Sequence, residues 1–260
     1  MAELITRKED AIGWIIFSNP AKFNAVSQDM WAAMPGAIAA FDADAEVRMI
    51  LITGDGDKAF ISGADISQFE KSRSSAEAQE VYNRAVVDAY EAPVRCSKPV
   101  VAKIRGICMG GGLGLAAACD VRIAAADAVF RMPAARLGLG YNFTGIKRFV
   151  QVLGAANTSD IFFSARKFDA AEAFAMGFVN RVVPVAEFDR EVAAYCALLA
   201  ENAPLTMAAA KFAIRQTALD SGERDQEQIA RMVEACNQSE DYREGRQAFM
   251  EKRKPNFQGK

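Results

Sequence analysis

The chain has 260 residues, 51% hydrophobic and 25% charged, enough to bury a sizeable core as one large domain or two small ones. A formal net charge of -2 offers no basic field to a phosphate backbone, and the densest basic run, Lys252, Arg253 and Lys254, is too short to be a footprint, so nucleic acid is not an expected partner. No stretch of 18 apolar residues marks a membrane span, and Glu3, Arg7 and Lys8 near the start do not read as a secretory leader; a cytoplasmic protein is expected.

The five cysteines (Cys96, Cys108, Cys119, Cys196, Cys236) are scattered and form no CxxC pair, and there is no histidine. They read as reduced core residues, with no metal site expected. Without histidine, Ser-His-Asp and Cys-His nucleophiles are excluded, so acid–base work falls to carboxylates, Tyr, Lys or Cys, and backbone N–H groups become leading candidates for catalysis.

In chain order, "AIGWIIFS" (11–18) and "RMILITG" (48–54) are short apolar runs closed by turn formers, as buried strands should be. Between them a helix is predicted from about Ser27, a plausible N-cap, to Phe41. "KPVVAKIRG" (98–106) reads as another buried strand, followed by a glycine cluster, its helix, and short strands at "VRIAA" (121–125) and "AVFRM" (128–132). This alternation over the first 185 residues predicts an α/β fold with much parallel pairing. Beyond Val185 the text is almost continuously helical, with Pro204 suited to a first helical turn. No repeat or Pro/Ser-rich linker divides the chain, so one core with a helical appendage is preferred over two independent domains.

The cluster "CMGGGLGLAAACD" (108–120) puts glycines at 110, 111, 112 and 114 at the mouth of a helix. A GxGxxG fingerprint would need glycine where Leu115 stands, and a P-loop starting at Gly106 would need lysine where Gly112 stands, so neither phosphate cradle fits. What remains is a helix N-terminus with bare amides, able to hold an anion or a developing oxyanion; tight strand–helix packing explains such glycines equally well. A second small-residue stretch, "AFISGADI" (59–66), could add another N–H to the same oxygen.

Five separated stretches then resemble, in order, the motifs of the enoyl-CoA hydratase/isomerase (crotonase) family: "AFISGADI", "GICMGGGLGLAAACDVRIAA", "ARLGLG", "FSARKFDAAEAFAMGFVNRVV" and "EGRQAFMEKRKPNFQG". The resemblance spans nearly the whole chain. It implies a crotonase-like spiral of ββα turns over 1–200 carrying an acyl-CoA site, a helical trimerisation region over 201–260, and a homotrimer or hexamer. It further implies a CoA thioester substrate, with no cofactor beyond that coenzyme A moiety. By the family pattern the N–H groups of Ala64 and Gly111 form the oxyanion hole, so the glycines would let a thioester oxygen approach the main chain. The resemblance implies CoA contacts at Lys22 and Ala25 in "AKFNAVS", at Ser62, Ala64, Asp65 and Ile66, and at Phe249 and Lys252 from the C-terminal region of the same or another subunit.

The chain departs from the hydratase pattern at both catalytic glutamates, where Gly114 and Ala134 stand. Weak hydratase turnover is therefore expected. The segment "GLGYNFTG" (138–145) also resembles the tyrosine-bearing stretch of methylmalonyl-CoA decarboxylases, which makes Tyr141 and Asn142 catalytic candidates; Tyr141 reads equally as a half-buried aromatic with a satisfied hydroxyl. Asn142 stands where halide-displacing relatives carry a nucleophilic aspartate, so dehalogenation is not expected. Arg136 could steer a substrate carboxylate or make a surface ion pair, and Glu70, Glu77, Glu80 and Asp88 are either a solvated face or a hidden catalytic carboxylate. Hydratase-type lyase, malonyl-type decarboxylase and a non-catalytic CoA-ester-binding hexamer are the three readings.

Overall fold

A computed structural model describes residues 2–65 and 75–260. Strands β1 (Glu3–Glu9), β2 (Ile12–Ser18), β3 (Met49–Gly54), β5 (Val100–Ile104), β7 (Val121–Ala125) and β10 (Arg181–Val183) form a six-stranded sheet in the order β1-β2-β3-β5-β7-β10. Only the β1/β2 hairpin in it is antiparallel. A second sheet has the order β4-β6-β8-β9, from β4 (Ala59–Ile61), β6 (Ile107–Met109), β8 (Val129–Arg131) and β9 (Lys167–Asp169).

The chain gives one strand to the large sheet, the next to the small sheet, and then a helix. β3 and β4 lead to α2 (Ala76–Arg95); β5 and β6 lead to α3 (Gly111–Ala118); β7 and β8 lead to α4 (Ala134–Leu137) and α5 (Phe143–Ser164). This repeat is the ββα spiral the resemblance implies.

The inner strands of the large sheet are buried on both faces, which is why they read as unbroken apolar runs rather than alternating ones. Ile50, Ile52, Val100, Ala102 and Ala124 face the main core, which they share with Phe60, Cys108 and Phe130 of the small sheet. Met49, Leu51, Val101, Ile123 and Ala125 face the other way, onto Phe188, Val192 and Cys196 of α7 (Phe188–Ala200). Helix α1 (Gln28–Ala43) is capped by Ser27, whose hydroxyl accepts from the Met30 N–H, and buries Trp31, Met34 and Ile38 at helical spacing.

After α6 (Ala170–Ala175) and α7 come α8 (Pro204–Thr217), α9 (Gln226–Gln238) and α10 (Glu240–Glu251), whose buried residues are only Gln216, Asp241 and Ala248. Polar ties hold them down: Lys211 Nζ donates to the Pro93 and Lys98 carbonyls and pairs with Asp120 at 2.7 Å, and Asp241 accepts from the N–H groups of Gln258 and Gly259. Phe249 (82% exposed) and Met250 (80%) are the most exposed large apolar residues of these helices. Among the described residues no single helix is long and apolar enough to cross a membrane.

Among the elements the sequence did not mark are β1 and the 22-residue α5, which is broken at Gly154 (φ 74°). The predicted strands at 121–125 and 128–132 are found at Val121–Ala125 and Val129–Arg131.

Candidate active site

The spiral brings the two small-residue stretches side by side. Val26 donates to the Gly63 carbonyl at 2.8 Å and accepts from the Asp65 N–H at 2.9 Å, a parallel bridge that grips the residues flanking Ala64. In that pattern the Ala64 N–H points away from Val26. At the other stretch Gly110 has φ 53°, a conformation that favours glycine, and its carbonyl accepts from the Gly114 N–H at 3.1 Å as α3 begins. The Gly110–Gly111 peptide is trans and planar, so the Gly111 N–H points opposite to that carbonyl, out of the helix mouth. Among the described residues neither the Ala64 nor the Gly111 N–H meets a protein acceptor. A Cβ built on Gly63 would lie 3.9 Å from the Gly111 nitrogen, and both stretches line one cleft of about 380 Å³.

The glycines have a second reason beyond ligand approach. A Cβ on Gly112 would lie 2.4 Å from the Ile61 carbonyl oxygen, and one on Gly114 would lie 2.7 Å from the hydroxyl of Tyr90. At these two positions the group that comes close to the main chain is the protein's own, in line with the packing explanation.

No carboxylate stands at either hydratase position: Gly114 is covered by Tyr90, and Ala134 is a buried methyl on the cleft wall. What lines the cleft instead is one face of α2, with Gln79, Tyr82, Asn83, Val86, Tyr90 and Glu91 at helical spacing. Glu77, Glu80 and Asp88 belong to the opposite, exposed side of α2, and Glu70 lies outside the described residues. Glu91, the carboxylate among the described cleft residues, is tied to Arg148 of α5 at 3.0 Å, both side chains being mostly buried.

Tyr141 lines the cleft with its ring edge-on to Phe162 at 5.1 Å. No hydrogen bond of its hydroxyl is found among the described residues. Burial, with Tyr82 adding to it, pushes its pKa from 10 up to about 12, and burial pushes Tyr90 well above the ordinary range too. Both phenols therefore stay neutral donors across the physiological range.

The sign of the linkage gives a test. Below pH 10 folded and unfolded chains both keep the Tyr141 proton; between 10 and 12 the unfolded chain loses it first, so stability falls as pH rises. Tyr141→Phe is expected to flatten that part of the decline in urea-unfolding free energy measured over a pH series.

Asn142 spends its Oδ1 as the N-cap of α5, accepting from the Gly145 N–H at 2.9 Å, although it also borders the cleft. Arg136 is exposed on α4 and does not line the cleft. Of the expected CoA contacts, Ser62 and Ala64 line the cleft. Ala25 is buried, and Lys22 reaches over to pair with the buried Asp65 at 2.9 Å. This loop is fastened by Asn24, whose amide donates to the Asp55 and Ala59 carbonyls. Phe249 and Lys252 are exposed on and just after α10, away from the cleft lining of their own chain, and Ile66 lies outside the described residues.

Sequence reasoning missed Tyr90, Tyr82, Glu91 and Arg148. The signal was present in residues 79, 82, 83, 86, 87 and 90, a helical stripe within the segment whose acidic residues read as a solvated face or a hidden carboxylate.

Two stacked sheets wound by ββα turns, with a loop and a helix mouth opening on one cleft, define the crotonase fold. The chain belongs to the enoyl-CoA hydratase/isomerase family, whose sequence model matches residues 7–260. It is 33% identical to the crotonyl-CoA hydratase of Syntrophomonas wolfei over 256 residues, covering 98% of this chain and 97% of that one. It is 31% identical to the short-chain-enoyl-CoA hydratase of Clostridium acetobutylicum, covering 96% and 95%. Among solved structures, an enoyl-CoA hydratase/carnithine racemase from Magnetospirillum magneticum superposes with a TM-score of 0.94 at 33% identity, over 100% of this chain and 97% of that one.

Proposed function

We propose that this protein is a lyase acting on CoA thioesters, holding the thioester oxygen between the N–H groups of Ala64 and Gly111 and stabilising an enolate as it forms. The observation that carries this reading is the pair of N–H groups that meet no acceptor among the described residues and border one cleft. The helix macrodipole of α3 adds to it by favouring negative charge at its N-terminus.

Within that class, loss of CO₂ from a malonyl-type thioester suits the cleft best. As the carboxylate leaves as CO₂, the electrons of the broken C–C bond pass through the α-carbon to the thioester oxygen, where the two N–H groups meet the charge. A proton from water then ends on the α-carbon. No residue has to activate water, which agrees with Gly114, Ala134 and a Glu91 already engaged by Arg148. The neutral Tyr141 hydroxyl is the group available to orient the leaving carboxylate, with Asn142 fixing the start of α5 beside it.

Hydration is the second reading, favoured by the activity in the relatives' names and by Glu91 at the cleft. Cytoplasmic localisation, assembly as a homotrimer or hexamer through α8–α10, and CoA contacts from Lys22, Ala25, Ser62, Asp65, Ile66, Phe249 and Lys252 belong to the same proposal. The exposed Phe249 and Met250 support the assembly.

The test is one paired assay: CO₂ released from malonyl- and methylmalonyl-CoA, and enoyl absorbance lost from crotonyl-CoA. CO₂ release is expected, with crotonyl-CoA hydration slower than in a two-glutamate enzyme by about 10²–10⁴ for each missing group. Fast crotonyl-CoA hydration without CO₂ release would reverse the order of the two readings, and tight binding without either reaction would leave a CoA-ester-binding assembly.

A further inference from the structure

The mouth of α3 raises a mechanical problem. Its first turn carries glycine at 110, 111, 112 and 114, and no side chain caps it. A glycine backbone is the least rigid place to mount a donor that must be held in one direction before the substrate arrives.

Tyr90 of α2 answers that problem from across the cleft wall. Its hydroxyl donates to the Gly111 carbonyl at 3.0 Å, and its ring sits where a side chain at 114 would go, 2.7–3.1 Å from a Cβ there. Trp31 backs the ring edge-on at 5.5 Å and also closes on Gly111, whose Cβ would lie 3.1 Å from the indole. On the other side Gly112 is pressed on the Ile61 carbonyl. The turn is thus held between a phenol and a strand, with the Gly111 N–H left pointing out of its end.

We infer that Tyr90 is a positioning residue, its hydroxyl bracing the first turn of α3 so that the Gly111 N–H is aimed at the thioester oxygen. The inference rests on the oxyanion reading above and adds to it the residue that makes a glycine-built donor rigid. It also explains why Gly114 and Tyr90 occur together: a carboxylate-bearing side chain at 114 and a phenol at 90 would claim the same space. Because burial keeps the Tyr90 proton in place, the brace holds through the physiological pH range.

The test uses the full-length protein and acetoacetyl-CoA, a β-keto thioester whose enolate absorbs where its keto form does not, so no turnover is required. Wild-type protein is expected to bind the probe and to lower the pH at which the enolate band appears. Tyr90→Phe keeps the ring and removes the bond. It is expected to raise that midpoint by about one pH unit, a tenfold change in the equilibrium, because the enolate loses more from a misaimed donor than the keto form does. A Tyr90→Phe midpoint equal to wild type would overturn the inference and leave the oxyanion reading standing. A wild-type protein that binds the probe and shows no enolate band would overturn both. Should the phenylalanine variant be unstable, Gly114→Ala presses on the same hydroxyl from the opposite side. It is expected to raise the midpoint likewise, and an unmoved midpoint there overturns the inference.

Discussion

Ala64→Pro is expected to lower turnover of the CoA thioester by about 10²–10³, the effect of removing one donor from an oxyanion hole. The substitution isolates that N–H because no acceptor among the described residues meets it. The bridge to Val26 runs through the Gly63 carbonyl and the Asp65 N–H, both of which a proline at 64 leaves in place. Proline also constrains the residue before it, and here that residue is Gly63, at φ 120°, which has no Cβ to collide with the ring. Ala64→Ser, which keeps the N–H, serves as the control for side-chain size. The expected pattern is a fall in kcat in the proline variant alone, with the melting temperature close to wild type. Wild-type turnover in Ala64→Pro would show that the thioester oxygen rests elsewhere.

Much of the scaffold behind this prediction was legible in the sequence because burial on both faces writes itself as uninterrupted apolar text. "RMILITG" and "VRIAA" each send alternate residues into different cores, and only a strand covered on both sides reads that way. The mouth of α3 was legible as a place of close approach, but not what approaches. A glycine announces that a Cβ is forbidden and is silent on whether a ligand, a carbonyl or a phenol forbids it. Tyr90 is 24 positions upstream of Gly114, and their contact is created by the packing of α2 on α3, which no local pattern encodes. The same holds for Asn142: its place beside Tyr141 suggested chemistry, whereas the structure gives its side chain a helix to cap. Phe249 and Lys252 show a further limit, since one chain does not bring them to its own cleft.

The strongest stability effect is expected where the cluster is pressed on the strand. In Gly112→Ala the new methyl carbon would lie 2.4 Å from the Ile61 carbonyl oxygen and 2.7 Å from its Cβ. These are main-chain and branch-point atoms of β4 in the middle of the core, with no flexible end to swing aside, so α3 has to move off the small sheet. Overpacking of this kind costs about 3 kcal/mol, more than the roughly 1 kcal/mol that alanine gains over glycine inside a helix. A net loss of about 2 kcal/mol corresponds to a melting temperature lower by roughly 4 °C for a chain of 260 residues. Gly36→Ala is the informative opposite: it lies on the exposed side of α1 with nothing within 4 Å of its Cβ, so only the helix propensity remains. That variant is expected to be more stable by about 0.5–1 kcal/mol. The displacement of α3 in Gly112→Ala also carries the Gly111 N–H away from that of Ala64, so the enolate band of bound acetoacetyl-CoA should weaken even at temperatures where the variant is fully folded. If the band survives while the melting temperature falls, the cleft tolerates a looser α3 than the packing against Ile61 implies, and the rigidity assigned to that turn would have to come from Tyr90 alone.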